Sequence, residues 1–190
     1  MRLTPPLLAA LLGLAACAQP DYYLLPQPRP VDRVGTPVST VAVAEVGLPT
    51  YAEALEIATL TGPGSVSLDN SALWADTPRR ALTRHLIAAL GDRLGARVGG
   101  EPWPGLDQPG LRIEVVADRL IGAPGSAVEF AGQYIVLAPD DGRIVASERF
   151  AITAPVLGAD YTALLAAHAV AVERLADQIA ARINGRSVTS

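Results

Sequence analysis

The stretch LRIEVVADRLIGAPGSAVEFAGQYIVLAPDDGRIVASERFAIT, residues 111–153, determines the fold prediction for this chain. Its β-rich segments are residues 111–120, 128–138 and 144–153. In the first segment Ile113 and Val115 alternate with charged residues, which is typical of a strand with one buried face. The sequence Asp-Asp-Gly at residues 140–142 is a strong signal for a tight turn. We therefore predict a three-stranded antiparallel meander.

Two amphipathic helices are predicted on either side of this meander. The first begins at Pro78, where the missing N–H of proline costs nothing, and ends by Gly91 or Gly95. The second spans residues 161–184, with Asp160 as its N-cap. Both show apolar residues at helical spacing on one face, so both are expected to pack against the sheet.

The remaining elements are shorter. Strands are expected at residues 22–25, 40–46, 57–60 and 65–68. The sequence Gly-Pro-Gly at residues 62–64 joins the last two as a hairpin, whereas the Gly- and Pro-rich residues 99–110 predict an irregular loop and Asp69-Asn70 a turn. The order of strands, helix, three strands and helix predicts an α+β fold, with a largely antiparallel sheet and two helices packed on one face.

The N-terminus has the features of a bacterial lipoprotein signal. Residues 1–16 contain an arginine, an apolar core and small residues, and Leu14-Ala15-Ala16-Cys17 forms a lipobox ending in the chain's one cysteine. We predict that Cys17 carries diacylglycerol and palmitate-type acyl chains and becomes the mature N-terminus. The alternative is an ordinary signal or buried helix with a chance cysteine, since the stretch is too short to span a bilayer. Ala18, in place of Asp, favours sorting to the outer membrane.

Domain organisation follows from these segments. The predicted parts are a signal peptide at residues 1–16, the lipidated cysteine and a Pro-rich tether at 17–37, a single domain at 38–185 and a tail at 186–190. The 190-residue chain has a net charge of −4, and its fifteen basic residues, all arginine, are not concentrated in any stretch. Nucleic acid is therefore an improbable partner.

Residues suited to catalysis, metal binding or cofactor binding are scarce, and we predict none of these sites. His85 and His168 belong to no local catalytic motif, and His168 falls on the inner stripe of the last helix, where a core histidine is expected. Asp140-Asp141 suits a hairpin turn better than a cation site. Trp74 is interpreted as a core residue. Trp103, between two prolines on a loop, is the candidate partner-binding residue, with packing over the core as the alternative.

An ordered set of residues resembles the ABC-type transport auxiliary lipoprotein family, which includes paraquat-inducible protein C (PqiC). The matching features are the lipobox, Tyr22-Tyr23-Leu24-Leu25-Pro26, residues 46–51 (VGLPTY) followed by Ile57, Leu73-Trp74-Ala75-Asp76, Leu86, Leu90-Gly91, Ala159-Asp160-Tyr161, Ala167-His168, Leu175 and Ile179-Ala180. Together they cover nearly the whole mature chain.

The resemblance implies a lipid-anchored protein on the periplasmic face of the outer membrane that assists a mammalian-cell-entry (MCE) lipid transport system. Its implied partners are a periplasmic MCE-domain protein, the ABC transporter or integral membrane partner of that protein, and further copies of itself in a ring. It implies docking without catalysis. Two rivals remain open, a monomeric lipid-binding lipoprotein that encloses an acyl chain and a cell-envelope hydrolase, which the sparse histidines disfavour.

Overall fold

The computed structural model describes residues 19–32 and 35–185. The strands are β1 (Asp21–Tyr23), β2 (Thr40–Val43), β3 (Glu56–Gly62), β4 (Ser65–Trp74), β5 (Arg97–Gly100), β6 (Leu111–Gly122), β7 (Ala127–Ala138) and β8 (Arg143–Pro155). The helices are α1 (Thr50–Glu53), α2 (Pro78–Leu94) and α3 (Tyr161–Ile183). The predicted signal peptide and Cys17 lie outside the described residues.

The fold is α+β, as predicted, but its eight-stranded sheet is mixed and not largely antiparallel. The predicted meander is present as antiparallel β6, β7 and β8, and the hairpin as antiparallel β3 and β4. By contrast, β1 pairs with β4, β5 with β2, and β2 and β3 with β6, all in parallel. Parallel partners are joined by long crossover connections, so no local sequence signal marks them.

Strand β6 is the axis of the sheet. One edge pairs with β7 along its length, while the other edge is shared by β2 at its beginning and β3 at its end. Leu111 pairs with Val41, and Gly122 pairs with Thr59. The length of strand between these two positions separates them by about 36 Å. The domain therefore has two distinct ends.

One end carries the loop between β5 and β6, and the other carries the beginning of α3. The loop end lies near Leu111, directly after the connection between β5 and β6. The α3 end lies near Gly122, where α3 begins. This second placement follows from the hydrogen bonds that the amides of Gly125 and Val156 donate to the carbonyls of Gly158 and Ser126, at 2.7 and 2.8 Å.

The core lies between the sheet and the two long helices. α2 contributes Leu82, Leu86, Leu90 and Leu94, and α3 contributes Leu164, Leu165, Leu175 and Ile179. The inward residues of β6 and β7 alternate with more exposed ones and join the same cluster. Burial of this apolar face, and not local propensity, stabilises the helices. The four-residue α1 was not predicted.

Two local predictions were wrong. Residues 99–110 are not entirely loop, because β5 extends to Gly100. The expected turn at Asp69-Asn70 lies inside β4, which continues to Trp74. A β-bulge explains why these residues resemble a turn, because Ile57 pairs with Asp69 while the preceding residue, Glu56, pairs with Leu73. Within that bulge the Asp69 carboxylate accepts a 2.8 Å hydrogen bond from the amide of Ser71, which is turn chemistry within a strand.

Candidate docking site

The loop at residues 101–110 is held firmly at both of its ends. The Glu101 amide donates a hydrogen bond to the Val43 carbonyl at 3.2 Å, and the Gly110 amide donates to the Thr40 hydroxyl at 2.9 Å. The Arg112 guanidinium donates to the Glu101 carboxylate, with Nη2 at 3.0 Å from Oε2. This hydrogen bond lowers the pKa of Glu101, so the ion pair persists under mildly acidic conditions. The loop consequently projects from a fixed base.

Trp103 is half-buried on this loop. Its ring packs against the backbone of two glycines, because a Cβ on Gly99 would lie 3.0 Å from the Trp103 Cζ3 and one on Gly105 would lie 2.5 Å from the Trp103 Nε1. One part of the indole is thus held by the protein and the rest meets solvent. Part of the ring packs against the protein and part stays accessible to a partner. Partner binding by Trp103 stays a prediction.

Leu106, which the sequence analysis did not select, is fully exposed three residues further along the loop. A single exposed leucine is common on protein surfaces. Here it lies on the same small loop as the half-exposed Trp103, and exposed tryptophans are enriched at interfaces. The sequence feature that could have pointed to Leu106 is its position as a single large apolar residue among Gly, Pro and Asp residues.

The N-terminal segment forms a strap across the helices, defined here as residues 24–29. The Arg29 amide donates to Glu173 of α3 at 3.3 Å, and the Arg29 guanidinium lies 3.7 Å from the same carboxylate. Surface pockets of about 340 and 310 Å³ lie along the strap, beside α2 and α3 respectively, and share Pro26 and Gln27. This part of the predicted tether therefore lies against the domain.

Both histidines are buried. His168 is 3% exposed, its Nδ1 lies 2.9 Å from the Leu164 carbonyl, and its ring meets Trp74 edge-on at 5.6 Å. Trp74 is buried, as expected for a core residue. His85 has its Nε2 at 3.6 Å from Glu173. Burial lowers the pKa of both imidazoles, that of His168 to about 4.

Acid is expected to destabilise the domain through His168. Because the folded state holds the His168 pKa at about 4, below its ordinary 6.5, the unfolded chain binds the proton first. This contribution is fully present above pH 6.5 and declines toward pH 4, by about 3 kcal/mol in total.

Urea unfolding of the wild type and of a His168→Leu variant at about pH 7.5, 5.5 and 4.5 measures this loss. The variant should show a flatter decline, with the remainder due to groups such as His85. An equal decline in both proteins would assign the acid sensitivity elsewhere.

Within residues 19–32 and 35–185, no group of three His, Cys, Asp or Glu side chains is placed to hold a metal ion. Asp141 lies in the β7–β8 turn and accepts a 3.0 Å hydrogen bond from the Arg143 amide. Across the same residues, none of the helices combines the length and the apolar character needed to cross a bilayer.

Comparison with known proteins identifies the family. The profile of the family described as "ABC-type transport auxiliary lipoprotein component" matches residues 22–180. The chain therefore belongs to this family, as the sequence resemblance indicated. It is a family of transport auxiliary lipoproteins and not of enzymes, and its members are expected at a membrane, facing the periplasm. No curated protein matches the chain.

Solved structures share the fold. A crystal structure of an uncharacterized protein is 22% identical with a TM-score of 0.72, covering 87% of this chain and 99% of its own. Protein XCC0632 from Xanthomonas campestris, of family DUF330, is 20% identical with a TM-score of 0.63, covering 87% and 96%. A dodecamer of a PelC point variant from Paraburkholderia phytofirmans is 11% identical, covering 79% of this chain and 94% of its own, with a TM-score of 0.43.

Proposed function

We propose that this auxiliary lipoprotein is the outer-membrane docking component of an MCE-type lipid transport system. Lipid on Cys17 holds it to the periplasmic face of the membrane, with Ala18 favouring outer-membrane sorting. The loop at residues 101–110 receives the periplasmic MCE-domain protein through Trp103 and Leu106. The predicted division into signal, tether, domain and tail is part of this proposal.

The observation that supports the proposal is that β1, which begins four residues after Cys17, and the exposed loop lie at opposite ends of the domain. Cys17 precedes Asp21 by four residues, which can span at most about 14 Å. Asp21 pairs with Ala72, and the ring of Tyr23 lies 5.5 Å from that of Tyr161, the first residue of α3. The anchor therefore attaches at the α3 end.

The loop, by contrast, lies at the loop end, about 36 Å away along β6. A protein held to the membrane at one end and carrying an apolar loop at the other is arranged to meet a partner that arrives across the periplasm. An MCE-domain conduit is such a partner. The family's role in ABC-type transport supports this assignment.

The rival lipid-binding function is not favoured by the described core. The cavity beside Trp74 and His168 has a volume of about 10 Å³, which is room for one water molecule and not for an acyl chain. The larger pockets along the strap lie at the surface. A hydrolase is disfavoured by the family and by the burial of both histidines.

The docking role predicts a specific defect in a Leu106→Ser variant. Since the Leu106 side chain is fully exposed, its loss should leave the melting temperature unchanged and should weaken capture of the MCE-domain protein by about tenfold, a change typical of an interface contact. The measurement is pull-down of that partner from detergent-solubilised envelopes, together with thermal unfolding.

Val116→Ser is the matched control, because Val116 is also an exposed apolar residue but lies in the middle of β6. It should capture the partner normally. Trp103→Ala should weaken capture as well, with some loss of stability because its ring is half-buried. Normal capture by both loop variants would exclude this loop as the docking site.

A further inference from the structure

Exposed apolar side chains gather at the α3 end of the domain. Tyr22, Leu24 and Leu157 are 65, 76 and 89% exposed, and we call these three residues the α3-end patch. Tyr22 and Leu24 line a surface pocket with Thr162, while Leu157 lines another with Ala163. Both pockets border the first turn of α3, so the patch surrounds the beginning of that helix.

The patch is presented by ordered backbone. Tyr22 lies in β1, where it pairs with Leu73 of β4. The neighbouring Tyr23 packs its ring on Tyr161, whose hydroxyl donates a 2.6 Å hydrogen bond to the Asp69 carboxylate. These contacts fix β1 against the beginning of α3. Tyr22 is therefore held in place by the sheet, and Leu24 follows directly after β1.

We propose that the α3-end patch rests on the lipid surface that holds Cys17. This inference rests on the proposed lipid anchor and deepens it. Because Asp21 is the fourth residue after Cys17, the beginning of β1 lies within about 14 Å of the acylated cysteine. A surface this close to the headgroups meets lipid before it meets any protein partner.

The chemistry of the patch suits the membrane interface. Tyrosine concentrates at the level of the headgroups, where its ring is buried and its hydroxyl stays hydrated. Leucine side chains can enter the boundary of the acyl region. The nearby exposed charges, Asp21 and Asp160, are acidic, so attraction to anionic lipid does not drive the contact. Apolar burial alone carries it.

The contact would fix the orientation of the domain. With the α3 end on the membrane, β6 leads away from the lipid and the loop at residues 101–110 faces the periplasm. The strap, residues 24–29, continues from the patch over the helices and holds the anchor side to the domain. The lipoprotein would therefore be a rigid post and not a domain on a flexible lead.

Site-directed spin labelling of the mature, lipidated protein tests the proposal. Because the thiol of Cys17 is consumed by lipid, a cysteine introduced as Leu24→Cys or Leu157→Cys is the free thiol that takes the nitroxide. Val116→Cys is the control, exposed but in the middle of β6. Each protein is reconstituted in phosphatidylcholine vesicles, and collision of the label with oxygen and with an aqueous nickel chelate is measured.

The labels at positions 24 and 157 should collide roughly threefold less with the nickel chelate than the Val116 label does, and more with oxygen, because side chains at the acyl boundary are shielded from water. The same result is expected in phosphatidylglycerol vesicles. Protein that floats with the vesicles but shows all three labels equally open to nickel would overturn the membrane contact and leave the anchor intact. Protein that fails to float would overturn both.

Two other outcomes would also contradict the proposal. Protection that appears with phosphatidylglycerol and not with phosphatidylcholine would mean that charge, and not apolar burial, makes the contact. Protection of the labels in unlipidated protein in buffer would mean that a second copy of the chain covers the patch.

Discussion

Replacement of Cys17 by Ser is expected to move the protein from the membrane to the soluble periplasmic fraction. Acyl chains contribute about 0.8 kcal/mol per buried methylene, so the several chains of a bacterial lipoprotein hold it durably. The α3-end patch alone is too small to replace them. The shift should be nearly complete when the variant also carries, in place of residues 1–16, the signal peptide of a soluble secreted protein.

Membrane flotation and fractionation of cells measure this change. Ala18→Asp is the matched control, since it leaves the acylated thiol in place and alters the sorting position. That variant should remain membrane-bound and shift toward the inner membrane if the outer-membrane assignment is right. A Cys17→Ser protein that still floats with membranes would refute the lipid anchor, and with it the orientation derived above.

Replacement of Gly132 by Ala is expected to destabilise the domain strongly. A Cβ at this position would lie 2.1 Å from the Val116 carbonyl oxygen and 2.8 Å from the Ala117 Cα, both of which are backbone atoms of the neighbouring strand. Gly132 pairs with Ala117, where the register between β6 and β7 shifts. The two strands would have to separate at the centre of the sheet.

The cost of that separation is about 3 kcal/mol or more, a large part of the roughly 5–15 kcal/mol typical of a domain. A fall of roughly 10 °C in melting temperature, or insoluble protein, should follow. Gly62→Ala is the matched control, because a Cβ there meets no atom within 4 Å and should leave the melting temperature nearly unchanged. A Gly132→Ala protein as stable as this control would contradict the described strand pairing.

The antiparallel part of the fold could be predicted because its signals are local. Alternation at Ile113 and Val115 marks a half-buried strand, and the turn residues between strands mark hairpins. The parallel pairs could not be predicted, because a hairpin and two helices lie between β2 and its partner β5 in the sequence. The bulge at Asp69 misled for a related reason, because its side chain forms the same local hydrogen bond in a strand as in a turn.

In the candidate site, too, some features have local sequence signals and others depend on long-range contacts. Trp103 stood out by composition, and the core position of His168 by helical spacing, both of which are local properties. The exposure of Leu106 depends on how β2 and β6 hold the loop, which no short pattern encodes. The strap was equally hidden, because the contact of Arg29 with Glu173 joins residues 144 positions apart.

In the proposed function, the loop at residues 101–110 docks an MCE-domain protein in the cell. The most direct test places a photo-crosslinking amino acid at Leu106 of the native lipoprotein, irradiates intact cells and identifies the adduct by mass spectrometry. The same amino acid at Val116 is the control. We expect an adduct with an MCE-domain protein from position 106, weak or absent from position 116 and lost when Cys17 is replaced. Adducts at position 106 that contain only lipid or further copies of this chain would contradict it.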